Sequence, residues 1–295
     1  MNKVSIQNFV RNYSIETTVP QAQRVEKFSD MVPASTCLYI AHIPGTNSQD
    51  TIALAARLRK EGMEPVPHVV GRRIASISAL DDLLARLTGE AGVKQVLVVA
   101  GDNATPEGEL TSGLQIIESG LLEKYKIQKF GVAGHPEGHR EVADPVLRDA
   151  LRRKNAYVEK TGANVYVVTQ FAFTAEPVIA WEGSHGVDIG RLPVTIGLPG
   201  LATAKTLLKY AMDCGVGASL SAFSKQYASL TKLLTVSAPD EAIVGLVRHK
   251  EQTPGSHFQG VHFFPFGGFK KTADWANKIV AGNFEVTQDG GLKVD

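Results

Sequence analysis

One short run, Gln95–Asp102 (QVLVVAGD), does most to limit the folds open to this chain. Its centre is rich in valine, and it stops abruptly at Gly101-Asp102. An apolar run of this length, with turn residues behind it and helical patterns on both sides, reads as a parallel strand buried on both faces. Such strands belong to α/β folds, in which the chemistry stands at the C-terminal strand ends. Asp102 therefore becomes the first candidate for function, although Asp after Gly is also ordinary turn chemistry.

Seven further runs resemble it: Ser14–Val19, Thr36–Ile43, Glu64–Val70, Lys129–Ala133, Asn164–Gln170, Pro193–Leu198 and Gly260–Pro265. Helical patterns follow them. Gln21–Met31 is expected as a helix. Ser48 is expected to cap the next one, which Gly62 ends, and Ser78 with Asp81 resembles a capping box. Further helices are expected around Leu114–Leu122, at Asp144–Lys160 and at Glu176–Gly183. Two or three helices and no strand are expected over 201–259, and a polar tail over 283–295. Eight strands alternating with helices predict an α/β chain forming a single (β/α)8 TIM-barrel domain over 1–295, with extra helices before the eighth strand. A doubly wound open sheet is the alternative, but its glycine fingerprint is missing after the first strand.

The net charge of +1 leaves no electrostatic footprint for nucleic acid or an anionic membrane. Cys37 and Cys214 are too few for a disulfide framework. No apolar run reaches the roughly 18 residues of a membrane helix, and the N-terminus lacks the apolar core of a signal peptide, so a cytoplasmic protein is expected. A homo-oligomer is compatible with the composition.

On the barrel reading, Glu16, His42, His68, Asp102, His135 and Gln170 stand at the ends of six different strands. A shared site on one rim explains so many polar side chains there. Carboxylates, histidines and an amide permit proton transfer and recognition of a polar heterocycle. They also permit a metal-dependent barrel hydrolase using His42, His68, Asp102 and His135, although there is no HExxH or paired His-x-His motif. A GxSxG elbow and a Walker A motif are also missing.

These strand ends, taken in order, resemble the methylenetetrahydrofolate reductase family. SIETTVPQ keeps Ser14, Glu16 and Pro20 of the family's first-strand S-F-E-F-x-P-P pattern, and Pro67-His68 matches its third strand. Val99–Asp102 (VAGD) answers L-R-G-D, and GHPEGH keeps Pro136, Glu137 and His139 of Y-P-E-x-H. Thr169-Gln170-Phe171-Ala172-Phe173 is similar to T-Q-x-F-F, IGLPG echoes the seventh strand, and His262-Phe263-Phe264 resembles H-F-Y.

The resemblance implies an enzyme of one-carbon metabolism, serving methionine biosynthesis. It would interconvert 5,10-methylenetetrahydrofolate and 5-methyltetrahydrofolate with NAD(P)H. Glu16 would be the general acid that opens the substrate's imidazolidine ring to an iminium, and Asp102 and Gln170 would hydrogen-bond the pterin. Phe171 or Phe173 would flank a ring. His68, Gly101, Asp102, His135, Glu137 and His139 would contact FAD. Three departures accompany it. Ala100 replaces the Arg of L-R-G-D, His135 replaces the Tyr, and Val158 stands where a phosphate-binding lysine is expected. Arg152, Arg153, Lys154 and Lys160 are the nearby substitutes. FAD is accordingly expected to be weakly held or absent, with direct hydride transfer from nicotinamide to folate as the other course. A folate-binding protein without redox activity is the remaining alternative.

Overall fold

The computed structural model describes residues 2–214, 216, 224, 234, 236–287 and 291–294, without the side chains of Asp213 and Cys214. Helices expected between 215 and 235, and the Cys214 thiol, lie outside the described residues. The strands, in chain order, are β1 (Ser14–Thr18), β2 (Cys37–Ala41), β3 (Glu64–Val70), β4 (Gln95–Val99), β5 (Lys129–Gly134), β6 (Val165–Phe171) and β7 (Val194–Pro199). They continue with β8 (Ala202–Thr203), β9 (Val236–Ser237) and β10 (Phe258–Phe264). Eight of them close a barrel in the order β1, β10, β7, β6, β5, β4, β3, β2, an α/β TIM barrel as expected. Contacts within the chain resolve two compact units, Glu16–Ala133 with Ala156–Val167, and Met1–Ile15 with Gly134–Asn155 and Val168–Asp295.

In the unit containing Glu16–Ala133, β2, β3, β4 and β5 pair in parallel, with Cys37 opposite Glu64, His68 opposite Leu97 and Gln95 opposite Lys129. Leu38, Ile40, Val66, Val96 and Val98 are buried between them, as continuous apolar strands require. Two phenols meet inside, Tyr39 Oη and Tyr166 Oη at 2.5 Å. Gly131 makes room for them, since a Cβ there would lie 3.1 Å from the Tyr166 ring and 2.9 Å from Leu97. Burial drives the Tyr166 phenol well above its usual range, so it stays neutral.

The expected helix over Gln21–Met31 is replaced by a single turn, Val19–Ala22, and a 3-10 turn, Phe28–Asp30. The reason is non-local. Arg57, from the helix Ser48–Lys60, donates to the carbonyls of Ala22, Val25 and Glu26 at 2.6–2.9 Å. Those carbonyls thus face a guanidinium rather than the next helical turn. Two caps also shift. Asn47 Oδ1 accepts from Asp50 N in place of Ser48, and Ser76 Oγ accepts from Ala79 N in place of Ser78. The helix expected around Leu114–Leu122 breaks into Gly113–Glu118 and Leu121–Lys124, with Gly120 at φ +74° between them.

In the other unit, β10 pairs in parallel with β7 and with the start of β1, placing Ser14 opposite His262. His262 is fully buried, and its Nδ1 lies 2.9 Å from Ser14 Oγ. Gly197 permits the tight strand packing here, because a Cβ would come within 2.4 Å of the Thr169 carbonyl and 2.7 Å of Phe264. The helix Lys3–Val10, capped by Asn2, packs against β10 and the helix Phe269–Ala281.

The strand-free reading of 201–259 is corrected by the antiparallel pair β8 and β9. The tail of 283–295 carries a strand pair as well. Phe284–Val286 and Leu292–Val294 pair antiparallel, anchored by the buried Phe284 and Leu292. A buried polar knot ties the outer helices. Glu182 accepts from His257 N (2.6 Å), His249 Nε2 (2.7 Å) and Ser256 Oγ (2.9 Å). Burial raises its carboxyl, but these donors outweigh burial and hold it below the usual carboxylate range. A folded-state value below the unfolded one adds stability above the unfolded pKa, and that stability is lost as pH falls through the folded value. Glu182→Gln should therefore cost about 1–3 kcal/mol in urea unfolding at neutral pH, with the difference from wild type shrinking below about pH 4.

Candidate functional site

In the unit containing Glu16–Ala133, the strand ends bring Glu16 and His68 together. His68 Nε2 stands 3.9 Å from Glu16 Oε2, with 15% and 17% of the two side chains exposed. The Tyr39 ring and the His68 imidazole stand edge to face at 6.2 Å. Glu16 is thus mostly covered, with His68 of β3 beside it, rather than splayed into solvent as a strand-end carboxylate often is.

Asp102 lies differently. Its side chain is 88% exposed and pairs with Arg73 Nη2 at 3.0 Å, while the Arg73 side chain is only 15% exposed. Gly101 takes φ +99°, and a Cβ there would strike Val70 at 2.5 Å, so the turn presenting Asp102 requires glycine. Arg72 fixes the following loop by donating Nε to the Asn103 carbonyl and Nη2 to the Ala104 carbonyl, both at 2.7 Å. Its backbone N–H also reaches Ala100 O at 2.8 Å. Near them stands His42, whose pKa is lowered by burial and by the Arg73 cation, against the pull of Glu107 and Asp102. Arg72 and Arg73 were not among the sequence candidates. The signal available was the Gly71-Arg72-Arg73 triplet directly after β3, and Arg73 brings to the end of β4 a guanidinium that Ala100 lacks.

In the other unit, Gln170 is half-buried near the end of β6. Phe171 and Phe173 are 3% and 8% exposed and meet edge to face at 5.7 Å, which makes them core rather than open ring faces. Phe171 also packs on Phe264 and Phe266. The half-buried rings are Phe264, Phe266 and Tyr210, and Tyr210 stacks on Phe266 at 4.3 Å and 21°. Phe266 holds φ +45°, a left-handed conformation that costs an aromatic residue and persists only because its surroundings impose it. Sequence reading missed Phe266 and Tyr210, because one follows β10, the other lies in the helix Ala204–Cys214, and they meet only in the folded chain.

His135 and His139 lie edge to face at 5.2 Å beyond β5, around a turn with Gly138 at φ +81°. Glu137 is half-buried in the same turn. Burial, then the His139 and Lys154 charges, push the His135 pKa down to about 3, so its ring is neutral at physiological pH. His139 Nδ1 accepts from Glu141 N at 3.1 Å, which leaves Nε2 to carry the proton in the neutral ring. Lys154 is a half-buried cation whose pKa burial lowers to about 8. Of the four cations weighed from sequence, Arg152 answers Asp149 and Asp188, whereas burial alone governs Lys154. A cation desolvated with no carboxylate against it among the described residues suits an anionic ligand.

Among the described residues, no three His, Cys, Asp or Glu side chains converge as a metal centre would require. Among those residues, too, no helix is long and apolar enough to cross a membrane. Cys37 is a free thiol raised by burial, not an activated nucleophile.

An uncharacterized protein from Clostridium thermocellum, described as binding two copies of 5-methyl-5,6,7,8-tetrahydrofolic acid, superposes with a TM-score of 0.51. It is 13% identical, over 90% of this chain and 97% of the other. A lyase or mutase from Burkholderia cenocepacia, so described, gives 0.47 at 9% identity, over 91% of this chain and 84% of the other. The methylenetetrahydrofolate reductase model matches residues 5–232, most of the chain and every strand end from Glu16 to Phe173, and the chain therefore belongs to the methylenetetrahydrofolate reductase family.

Proposed function

We propose that this protein is an NAD(P)H-linked oxidoreductase interconverting 5,10-methylenetetrahydrofolate and 5-methyltetrahydrofolate. The observation that carries the reading is the mostly covered Glu16, held within β1 and set against His68. A pure folate binder has no need of a proton donor there. Family membership supports the substrate class. So does the folate bound by the Clostridium thermocellum protein, which shares the fold.

In the reductive direction, protonated Glu16 gives its proton to the substrate's N10 as the bond from N10 to the methylene carbon breaks. The resulting iminium accepts a hydride originating in NAD(P)H and becomes the methyl group. Asp102 and Gln170 hydrogen-bond the pterin, Asp102 exchanging its bond with Arg73 for the ligand's donors. The Phe266–Tyr210 stack offers an apolar face to a planar ring.

A nucleotide pyrophosphate needs buried charge compensated. Lys154, with His135 and His139 beside it, fits that need with one cation, while Ala100 and Val158 contribute none. Those three residues would hold FAD. When bound, the flavin supplies a two-electron carrier between nicotinamide and folate.

Gln170→Ala should weaken folate binding roughly 5–150-fold, the equivalent of about 1–3 kcal/mol for an unpaired buried donor, and should change nucleotide binding much less. Calorimetric titration with 5-methyltetrahydrofolate and with NAD(P)H checks this. Equal losses for both ligands would show collapse of the rim rather than loss of a pterin contact.

A further inference from the structure

Arg73 and Asp102 form an ion pair whose two charges are covered very unequally. The Arg73 side chain is 15% exposed and that of Asp102 88%, and one hydrogen bond joins them, Nη2 to Oδ1 at 3.0 Å. Two other pairs of the same unit are covered the opposite way. Arg57 with Glu61 (33% and 14%) and Arg59 with Glu64 (30% and 17%) hide the carboxylate more than the guanidinium. Arg59 also grips Glu64 with two nitrogens, at 2.5 and 2.6 Å. A covered guanidinium held by one bond to a carboxylate in water is placed to change partners. The cation must stay neutralised, whereas the carboxylate is solvated wherever it turns.

Resting on the functional reading, in which Asp102 turns to the pterin, we propose that Arg73 is an oxyanion-binding residue that takes a phosphate of the dinucleotide as Asp102 leaves. The exchange couples the two ligands. Phosphate on Arg73 frees Asp102 for folate, and folate on Asp102 frees Arg73 for phosphate. The planar guanidinium suits a phosphate, which it can hold with two parallel bonds.

The backbone holds Arg73 in place for this. Arg73 closes the 3-10 turn Gly71–Arg73 directly after β3. Arg72 N donates to Ala100 O at 2.8 Å and Glu107 N to Arg72 O at 2.9 Å, which pins the turn to the end of β4 and to the loop beyond it. The neighbouring groups leave the role to Arg73. The Arg72 guanidinium is engaged with the Asn103 and Ala104 carbonyls, and Glu107 is exposed. His42, its pKa lowered by burial and then by the Arg73 charge, adds no cation at physiological pH.

Inorganic pyrophosphate tests the exchange without folate or nucleotide. In calorimetric titration D102N should bind it roughly 10-fold more tightly than wild type, because the guanidinium no longer has a carboxylate to release. R73Q should bind it roughly 10-fold more weakly. Asp102 is exposed, so D102N keeps the test open even where R73Q folds poorly. Added to R73Q, D102N should change little, which separates release of Arg73 from simple loss of a negative charge. Equal affinity in wild type and D102N, or the same tightening with and without Arg73, would overturn the proposal. The coupling is read in wild type alone. Saturating pyrophosphate should tighten 5-methyltetrahydrofolate binding roughly 5-fold or more, and whichever of FAD and NAD(P)H reproduces this supplies the phosphate. Folate affinity that is unchanged or weakened would refute the exchange. Should folate not bind at all, the functional reading fails, and the pyrophosphate titrations still decide whether Arg73 takes an oxyanion in place of Asp102.

Discussion

Glu16→Gln is expected to lower turnover by about 10²-fold or more while folate affinity stays near that of wild type. The amide keeps the shape of the side chain and can still hydrogen-bond, but it has no proton to give. Its mostly covered position supplies the physical reason for so large an effect. With only 17% of its side chain exposed and His68 beside it, Glu16 is not readily replaced by a water molecule as proton donor. Steady-state kcat and a separate equilibrium titration with 5-methyltetrahydrofolate distinguish the outcomes. A variant that turns over normally would remove Glu16 from the mechanism. One that loses affinity and turnover together would make it a binding group.

The second large effect concerns FAD. Ala100 and Val158 occupy positions where the family resemblance expects cations, so at least one charge-assisted contact to the phosphates is missing. Such a contact is worth about 1.5–3 kcal/mol, or roughly one to two decades in affinity. FAD should therefore be lost during purification and gel filtration. Turnover with NAD(P)H should persist in flavin-stripped protein if nicotinamide reaches the folate directly.

Lys154 is a cation desolvated by burial, and Lys154→Met should weaken nucleotide binding by a further decade or two. Because the Lys154 ammonium loses its proton near pH 8, nucleotide affinity in wild type should fall as pH rises from 7 to 9. In Lys154→Met that dependence should vanish. Fluorescence titration across this range checks both. Stoichiometric FAD retained through purification, and indifferent to Lys154→Met, would show that Arg153 or Lys160 carries the phosphates instead.

The barrel was legible because each strand carries its own evidence. A fully buried parallel strand must be apolar on both faces, and runs such as Gln95–Val99 and Val165–Val168 are. Turn positions were legible for the same local reason, as at Gly101. What failed was set by partners distant in sequence. The helix at Gln21–Met31 gives way because Arg57 claims its carbonyls from across the fold. The helix caps slipped by one or two residues because Asn47 and Ser48, or Ser76 and Ser78, are chemically equivalent until the backbone chooses between them.

The site divides along the same line. Glu16 and His68 could be placed at strand ends from sequence, but their approach to 3.9 Å could not. Four cations looked alike before folding, and only burial singled out Lys154. Phe171 and Phe173 looked like ring contacts, yet the strand geometry turns both into the core and leaves Phe266 and Tyr210 as the half-buried faces.

The most direct test of the central claim supplies purified protein with 5,10-methylenetetrahydrofolate and NAD(P)H under anaerobic conditions, and quantifies the folates by mass spectrometry. 5-Methyltetrahydrofolate is expected in equal amount to the NAD(P)H oxidised, at a rate that collapses in Glu16→Gln. Folate that binds but is recovered unchanged, with NAD(P)H unconsumed whether or not FAD is added, would contradict it and leave a binding protein built on a reductase barrel.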